Sequence, residues 1–389
     1  SAMGTSIVFS DSIPLLALPF KLLSPILPDD FQYFGLWIFL CVTLQGVFAR
    51  KILKKLTEDD LFSTLGAILF MLAPIYLWRL HGHYALMGHW TILAGLYLYL
   101  CDNYRPKAWL ILLLATVSIH AYLAAMVASI WMLSLFYHAI ERRISLTGLV
   151  LHFVFTVLLT LITMWGLGYF SVGGGVSSGG FDVFGLNILS PVDSEELWSG
   201  VFEDQSQRPG NYEGFAFLGI GALALIAIAI SGAIRQPPKT TRSTMLLTLA
   251  AAGLTLYSLS SAVTVGETVL FEYNVPALLT PITDTFRVSG RFFWPVVYLI
   301  YMTILYFLYK GGNRNSVLAV VGLPSALQYL DLGNARQQFY SRYTQASFKT
   351  PFESTAWNDI GNMYDAVTVT PPEPMPAQWL SYSSFAAEH

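Results

Sequence analysis

Charge is what this sequence lacks first. Asp, Glu, Lys and Arg make up only 12% of its 389 residues, against about 25% in an ordinary soluble domain. So few charges cannot cover the surface of a soluble protein of this length. A chain that is 54% hydrophobic is not a disordered one either. Cysteine is nearly absent. Cys41 and Cys101 each lie inside an apolar run, which excludes a disulfide framework and a cysteine zinc site. The net charge of -3 leaves no basic footprint for nucleic acid. P-loop, Rossmann glycine, Ser-His-Asp and Cys-x-x-Cys patterns are all missing, so no nucleotide cofactor and no ATP-driven chemistry is expected. There is no internal repeat and no low-complexity linker.

What is present is apolar sequence in long stretches, with a mean hydropathy of +0.55. The expected fold is an all-α polytopic membrane protein, since roughly 17–25 apolar residues cross a bilayer. About ten crossings are read, near 31–49, 61–79, 87–101, 108–119, 121–139, 146–169, 214–234, 243–264, 290–309 and 316–330. Basic residues recur in every second connection: Arg50, Lys51, Lys54 and Lys55, then Arg105 and Lys107, Arg142 and Arg143, Arg235, Lys239 and Arg242, and Lys310 and Arg314. By the positive-inside rule these loops face the cytoplasm. The outer loops are then 1–30, 80–90, 170–213 and 265–289, all within a membrane domain spanning 1–330. Ser1-Ala2-Met3-Gly4 is not a native start, and the alternation asks for one more helix upstream of Ser1. Residues 331–389 leave the membrane. They read as the start of a small, truncated α/β extracytoplasmic domain, with a helix over 334–345 and a strand at Ala366-Val367-Thr368-Val369-Thr370 ending at Pro371.

Nearly all unusual polar residues fall on the expected outer side. Asp11, in Phe9-Ser10-Asp11-Ser12-Ile13-Pro14, is a carboxylate suited to general-base work, or a helix cap. His81, His83 and His89 stand in Arg79-Leu80-His81-Gly82-His83-Tyr84-Ala85-Leu86-Met87-Gly88-His89-Trp90. Imidazoles at that density suit a metal ion, a phosphate or proton transfer, and the plain alternative is an interfacial belt. Glu213 immediately precedes an apolar run, where an ionisable group is tolerated facing water or a cavity. His120 reads as a polar turn residue. Arg287 and Arg291 are four apart, as on one helix face, and Gly290 between them admits a close approach of backbone or ligand. Two guanidiniums so placed suit a phosphate clamp, or lipid headgroups.

Together, the Asp before the first span, the Arg-Leu-His-Gly-His-Tyr-Ala-Leu-Met-Gly-His-Trp segment, Asn-Tyr-Glu-Gly-Phe and Phe-Arg-Val-Ser-Gly-Arg-Phe resemble a group of bacterial polytopic membrane proteins. That group is similar to the GT-C superfamily of polyprenyl-phosphate-sugar-dependent glycosyltransferases. The resemblance implies an integral inner-membrane enzyme that moves a sugar from a polyprenyl-phosphate donor to a cell-envelope glycan or lipid acceptor. Its site and C-terminal domain would face the periplasm or exterior, and its partners would be membrane lipids, the donor and the acceptor. Such enzymes place a catalytic acid in the first outer loop, which Asp11 matches by position. Asp11, Glu213 and His83 are then the catalytic candidates, and Arg287, Arg291, His81 and His89 would hold the lipid phosphate. A divalent metal at Asp11, His81 and His83 is the alternative use of those three groups. The rival function is a transporter or flippase of a lipid-linked saccharide.

Overall fold

The computed structural model describes residues 6–28, 31–171, 179–235, 240–344, 351–352, 354–364, 381–382 and 385. Its helices in chain order are α1 (Pro14–Leu23), α2 (Phe34–Thr57), α3 (Asp60–Met71), α4 (Pro74–Leu77), α5 (Trp90–Tyr99), α6 (Pro106–Val117), α7 (Ala121–Ile140), α8 (Leu146–Gly166), α9 (Ile220–Arg235), α10 (Arg242–Ser258), α11 (Thr280–Thr285), α12 (Trp294–Gly311), α13 (Arg314–Asp331), α14 (Gly333–Tyr343) and α15 (Thr355–Met363). Two strands, β1 (Ala262–Val265) and β2 (Thr268–Glu272), form an antiparallel hairpin between α10 and α11.

Local sequence sets the ends of these helices. Asp59 accepts the Phe62 N–H at the start of α3, Ser145 accepts the Gly148 N–H at the start of α8, and Thr241 and Thr244 close a capping box on α10. Pro74 lacks an N–H and opens a new helix, so the chain bends by 48° between Asp60–Met71 and Pro74–His81.

Among the described residues four helices are long and apolar enough to cross a membrane: α2, α7, α8 and the continuous Ser289–Gly311 stretch. Counting each bent pair, Asp60–Met71 with Pro74–His81 and Arg314–Asp331 with Gly333–Tyr343, as one span raises the number to six. The expected ten crossings are therefore too many. The reason is physical. An apolar run is required inside a protein as well as inside lipid, and composition alone does not separate the two. Helix α5 is ten residues long, which spans only about 15 Å at 1.5 Å per residue, and eight of its residues are buried against other helices. Helix α8 is the opposite case. It is 21 residues long with only Thr156 buried, and Leu151, Val154, Phe155, Leu158, Ile162 and Trp165 stand exposed. An apolar surface of that extent is tolerable only against an apolar medium. The expected span at 243–264 also ends early. Helix α10 stops at Ser258, Ser260 takes φ +67, and the β-branched Val263, Thr264 and Val265 join the hairpin.

Residues Ser6–Arg336 form one compact unit, and Gln337–His389 belong to another. The expected helix over 334–345 is found as α14, and in the second unit Phe352, Trp357, Tyr382 and Phe385 gather in one aromatic cluster. The expected strand at 366–370 lies outside the described residues, as does most of the Gly-rich run at 173–180.

Within Ser6–Arg336 the helix termini carry the charged contacts. Their polar groups collect at two places. At the end where α2 finishes, Lys55 meets Asp102, Arg143 donates to the Asp102 carbonyl, Arg242 meets Glu141 and Arg314 meets Asp59. The basic loops singled out in the sequence thus share one end of the bundle. At the other end Trp37, near the start of α2, donates to the Tyr84 carbonyl, beside His83.

Candidate functional site

Glu213 and Arg291 are far apart in sequence, and two glycines bring them together. A Cβ on Gly290 would stand 2.5 Å from Gly214 Cα, and a Cβ on Gly214 would stand 2.7 Å from the Gly185 carbonyl. Only bare backbone fits at that crossing. Gly290 was expected to admit backbone or ligand, and the partner is backbone. Glu213 sits in the single 3-10 turn Asn211–Gly214, and Arg291 in the 3-10 turn Ser289–Phe293.

Glu213 Oε2 accepts from Arg291 Nε at 3.1 Å and Nη2 at 2.8 Å, and from Arg79 Nη1 at 3.3 Å. All three side chains are buried, with exposures of 8% for Glu213, 7% for Arg291 and 1% for Arg79. The Arg79 guanidinium lies between the Trp78 and Trp294 rings, at 4.3 and 4.6 Å from their centres. Arg291 rests over Tyr122 at 4.9 Å. Burial pushes the Glu213 carboxyl up, but the charges of Arg291 and Arg79 outweigh it and hold it at about 2. Glu213 is thus permanently ionised and shared between two cations. Held by two guanidiniums on one oxygen, this catalytic candidate is a poor base. Its part is to position the two arginines.

Asp11 makes the second centre. His83 Nδ1 is 3.3 Å from Asp11 Oδ2, and the Ala85 N–H donates to Asp11 Oδ1 at 3.3 Å. Burial raises the Asp11 carboxyl, while the His83 hydrogen bond and charge lower it by more, so it is held below the usual range. Two strained residues frame the pair: His83 at φ +59 and the β-branched Ile13 at φ +49. Such backbone costs on the order of 1–3 kcal/mol a residue and persists only where its surroundings fix it. Tyr33 helps, since its hydroxyl donates to the Ser12 carbonyl. A cavity of about 290 Å³ beside Tyr33 runs under α1, with Phe20, Lys21, Leu27 and Phe31 in its walls.

The two centres are electrically one. The charge of His83 reaches Glu213, and the charges of Arg291, Asp11, His83 and Arg79 all reach His120. His120 caps α7 by accepting the Tyr122 N–H at 3.2 Å. Burial, then the Arg291 charge, push its imidazole down to about 3, so it is neutral. A residue read as a bland turn thus stands inside the site.

The other expected residues are distributed differently. Arg287 does not share a helix face with Arg291, because it lies in the non-helical stretch before the Ser289–Phe293 turn. Its guanidinium lies 5.5 Å from the Phe184 ring centre, while its charge, like that of Arg291, acts on Tyr122. His89 is fully buried. It stacks on Trp294 at 4.3 Å, and its Nδ1 is 2.7 Å from the Tyr298 hydroxyl, which also accepts from Gln45. His81 packs with Trp78 and Trp198. The metal reading of Asp11, His81 and His83 is therefore not supported. His83 turns to Asp11 and His81 to a tryptophan pair, and no three His, Cys, Asp or Glu side chains among the described residues are gathered to hold an ion. Arg79 is the residue of this cluster that the sequence reading quoted in its motif without naming it as a site candidate. Its one signal was an arginine between Trp78 and Leu80 in an apolar segment, where a charge must find a partner.

Residues 1–333 match the model of a family described as Domain of unknown function (DUF6311). The chain belongs to the DUF6311 family. No curated protein and no solved structure matches it. In this DUF6311 chain the match ends before α15, and it takes in every residue of both centres.

Proposed function

We propose that the protein is an integral membrane glycosyltransferase that moves a sugar from a polyprenyl-phosphate donor to a glycan or lipid acceptor. One observation carries the reading: an ionised carboxylate with a histidine, Asp11–His83, and two buried arginines that share a single carboxylate oxygen act together on one buried histidine, His120. Transfer from a lipid phosphate needs both parts. A base must take the proton from the acceptor hydroxyl. Fixed cations must receive the charge that gathers on the departing phosphate.

In this reading the acceptor oxygen attacks the anomeric carbon. The bond from that carbon to the phosphate oxygen breaks, and its electron pair leaves with the polyprenyl phosphate. Asp11 takes the hydroxyl proton, and His83 orients the carboxylate. Arg79 and Arg291 face the phosphate. They are well suited to it, because two cations on one anion leave excess positive charge, and Arg79 Nε has no acceptor among the described residues. Arg287, on the half-buried approach to Tyr122, would meet the same phosphate. The apolar surface of α8 and its neighbours fits a bilayer, and the basic end of the bundle would face the cytoplasm with the site on the periplasmic or outer side.

The test is transfer from a synthetic polyprenyl-phosphate sugar to a mixed glycan and lipid acceptor fraction. Asp11→Asn should lose about a hundredfold or more in kcat, the usual contribution of a positioned base, while keeping the parent's thermal melt. Full activity in a folded Asp11→Asn protein removes Asp11 as base. Activity only with a sugar nucleotide removes the donor class. Movement of the lipid-linked saccharide across vesicles with no new glycosidic bond would mark a flippase instead.

A further inference from the structure

Beside the charge cluster lies a set of aromatic rings that the proposed chemistry does not use. Tyr212 is 50% exposed and stacks on Trp78, with centroids 6.4 Å apart and planes at 28°. Trp78 continues into His81 at 6.2 Å and 27°, and into the buried Phe215 at 6.1 Å and 24°. Trp198, also buried, closes the set behind His81 and Phe215. A carboxylate is fixed to the edge of this plate, since Trp78 Nε1 donates to Glu195 Oε2 at 3.1 Å. The segment that carries it is held in an unusual shape: Glu195 and Glu196 take φ +45 and +55, and the Asp193 carboxylate accepts the Glu195 and Gln205 N–H groups.

We propose that the Trp78–Tyr212 plate, edged by Glu195, is a subsite for a sugar ring of the acceptor glycan. This rests on the glycosyltransferase reading and adds to it the acceptor's chemical class at a named place. A pyranose ring has an apolar C–H face and a rim of hydroxyls. The exposed Tyr212 ring, outer member of this stack, offers the complement of the first and the carboxylate held at the Trp78 edge that of the second, at small entropic cost because tryptophan and tyrosine are stiff. The neighbouring charges exclude the other candidates. Asp193, Glu195 and Asp204 act on one another there and would repel a phosphate. A lipid chain has no use for a carboxylate. The location also fits. Trp78 touches the Arg79 guanidinium as well as Tyr212, so a sugar on this plate adjoins the cations that would hold the donor phosphate. Burial pushes the Glu195 carboxyl up to about 7, against the Trp78 N–H and with help from the Asp193 charge. It can therefore donate to a hydroxyl oxygen as well as accept from a hydroxyl near neutral pH.

The experiment uses the purified full chain in detergent. Methyl glycosides of glucose, galactose, mannose and N-acetylglucosamine are titrated by intrinsic tryptophan fluorescence and by saturation-transfer NMR. At least one should bind through its ring protons. Tyr212→Ala should weaken it by about tenfold, the scale of one lost aromatic contact, and Tyr212→Phe should keep it. Glu195→Gln should remove the pH dependence of binding around neutrality. In the transfer assay Tyr212→Ala should raise the acceptor KM and leave the donor KM unchanged. No glycoside bound by the parent protein, or equal binding by a normally melting Tyr212→Ala, overturns the subsite. Sugar binding that depends on Tyr212, with no transfer from any lipid-phosphate donor, defeats the glycosyltransferase reading and leaves the subsite standing. Transfer with an acceptor KM indifferent to Tyr212 does the reverse.

Discussion

Asp60 and Glu213 each hold two cations, at opposite ends of the same bundle. Asp60 binds Arg50 and Lys54 at 2.7 and 2.6 Å and is 65% exposed. Glu213 binds Arg291 and Arg79 at 2.8 and 3.3 Å and is 8% exposed. Contents and distances are alike, and the medium differs. In water the Asp60 group is screened, and its three side chains give up freedom to stay together, so such contacts contribute little. In the interior the same three charges must first be stripped of water, at several kcal/mol per ion, and an apolar trio would serve stability as well. The exposed group is what a charged loop produces unaided. The buried one needs Gly214 and Gly290 backbones in contact, two tryptophans around Arg79 and a tyrosine under Arg291. Such an outlay makes sense where fixed positive charge has work to do.

The largest effect that could break this contrast is on stability. Glu213→Ala leaves two buried arginines without a counter-charge and should cost about 3–5 kcal/mol, read as a large fall in the detergent melting temperature or a failure to purify. Asp60→Ala should leave the melt where it was. Equal shifts in the two variants would show that the ends are not different in kind.

Acid sharpens the same contrast. The folded-state carboxyl of Glu213 is depressed, from 4.5 to about 2. A depressed carboxyl contributes stability that is present above its unfolded pKa and is lost as pH falls through the folded one. The window is therefore pH 4.5 down to about 2, and the loss across it is on the order of 3 kcal/mol at 1.36 kcal/mol per unit. Glu195 has the opposite sign. Its carboxyl is raised to about 7, so the protonated group favours folding, and that contribution is lost as pH rises from 4.5 to about 7. Melting temperature against pH should fall steeply below 4.5 and ease downward toward 7. In Glu213→Gln the acid limb should flatten, and in Glu195→Gln the neutral one.

A smaller effect should have the reverse sign. His83 holds φ +59, a conformation that suits glycine. His83→Gly relieves that strain and should raise stability by about 1 kcal/mol, while losing the Asp11 partner and with it transfer activity. A gain in melting temperature with a loss of kcat separates a residue kept for its site from one kept for the fold. A fall in both would make His83 structural.

Much of this was legible in the sequence, and the pattern of what was not is instructive. Helix ends followed from Asp59, Ser145, Thr241 and Pro74, because caps and prolines act within four residues. The basic loops were read to one end, and their contacts with Asp102, Glu141 and Asp59 gather them there. The close approach at Gly290 was also visible. The number of spans was not, since α5 and α8 are both apolar and only their surroundings differ. The ion trio was hidden for another reason. Arg79 and Glu213 are 134 residues apart and Glu213 and Arg291 are 78, and no local spacing encodes a contact across such distances. The Arg287–Arg291 spacing misled because it assumes an α-helix upstream of Ser289, where the chain is non-helical and a 3-10 turn begins. Glu195 was visible only as one acid in a run of acids. What singles it out is the Trp78 N–H, which is again a long-range fact.

The smallest expected effect is the most searching one for the comparison. Lys55, in the last turn of α2, meets Asp102 in the loop after α5 at 2.8 Å, and Asp102 is 87% exposed. If that contact is only screened attraction in water, its two charges can be exchanged. The double variant Lys55→Asp with Asp102→Lys keeps net charge and pairing, and its melt should stay within about a degree or two of the parent, at low salt and at 1 M salt alike. Arg143 supplies the one complication. It donates to the Asp102 backbone carbonyl at 2.6 Å, so a lysine at 102 sits near another cation. The residual shift should therefore be a slight loss that disappears in high salt, where exposed charges no longer feel each other. The same exchange at the other end, Glu213→Arg with Arg291→Glu, has no such tolerance. The arginine would have to fit the turn at Gly214, and Arg79 would lose its carboxylate partner in a place water does not reach. One exchange with a slight loss that salt removes, and the other ruinous at any salt, is what two media predict for paired charges.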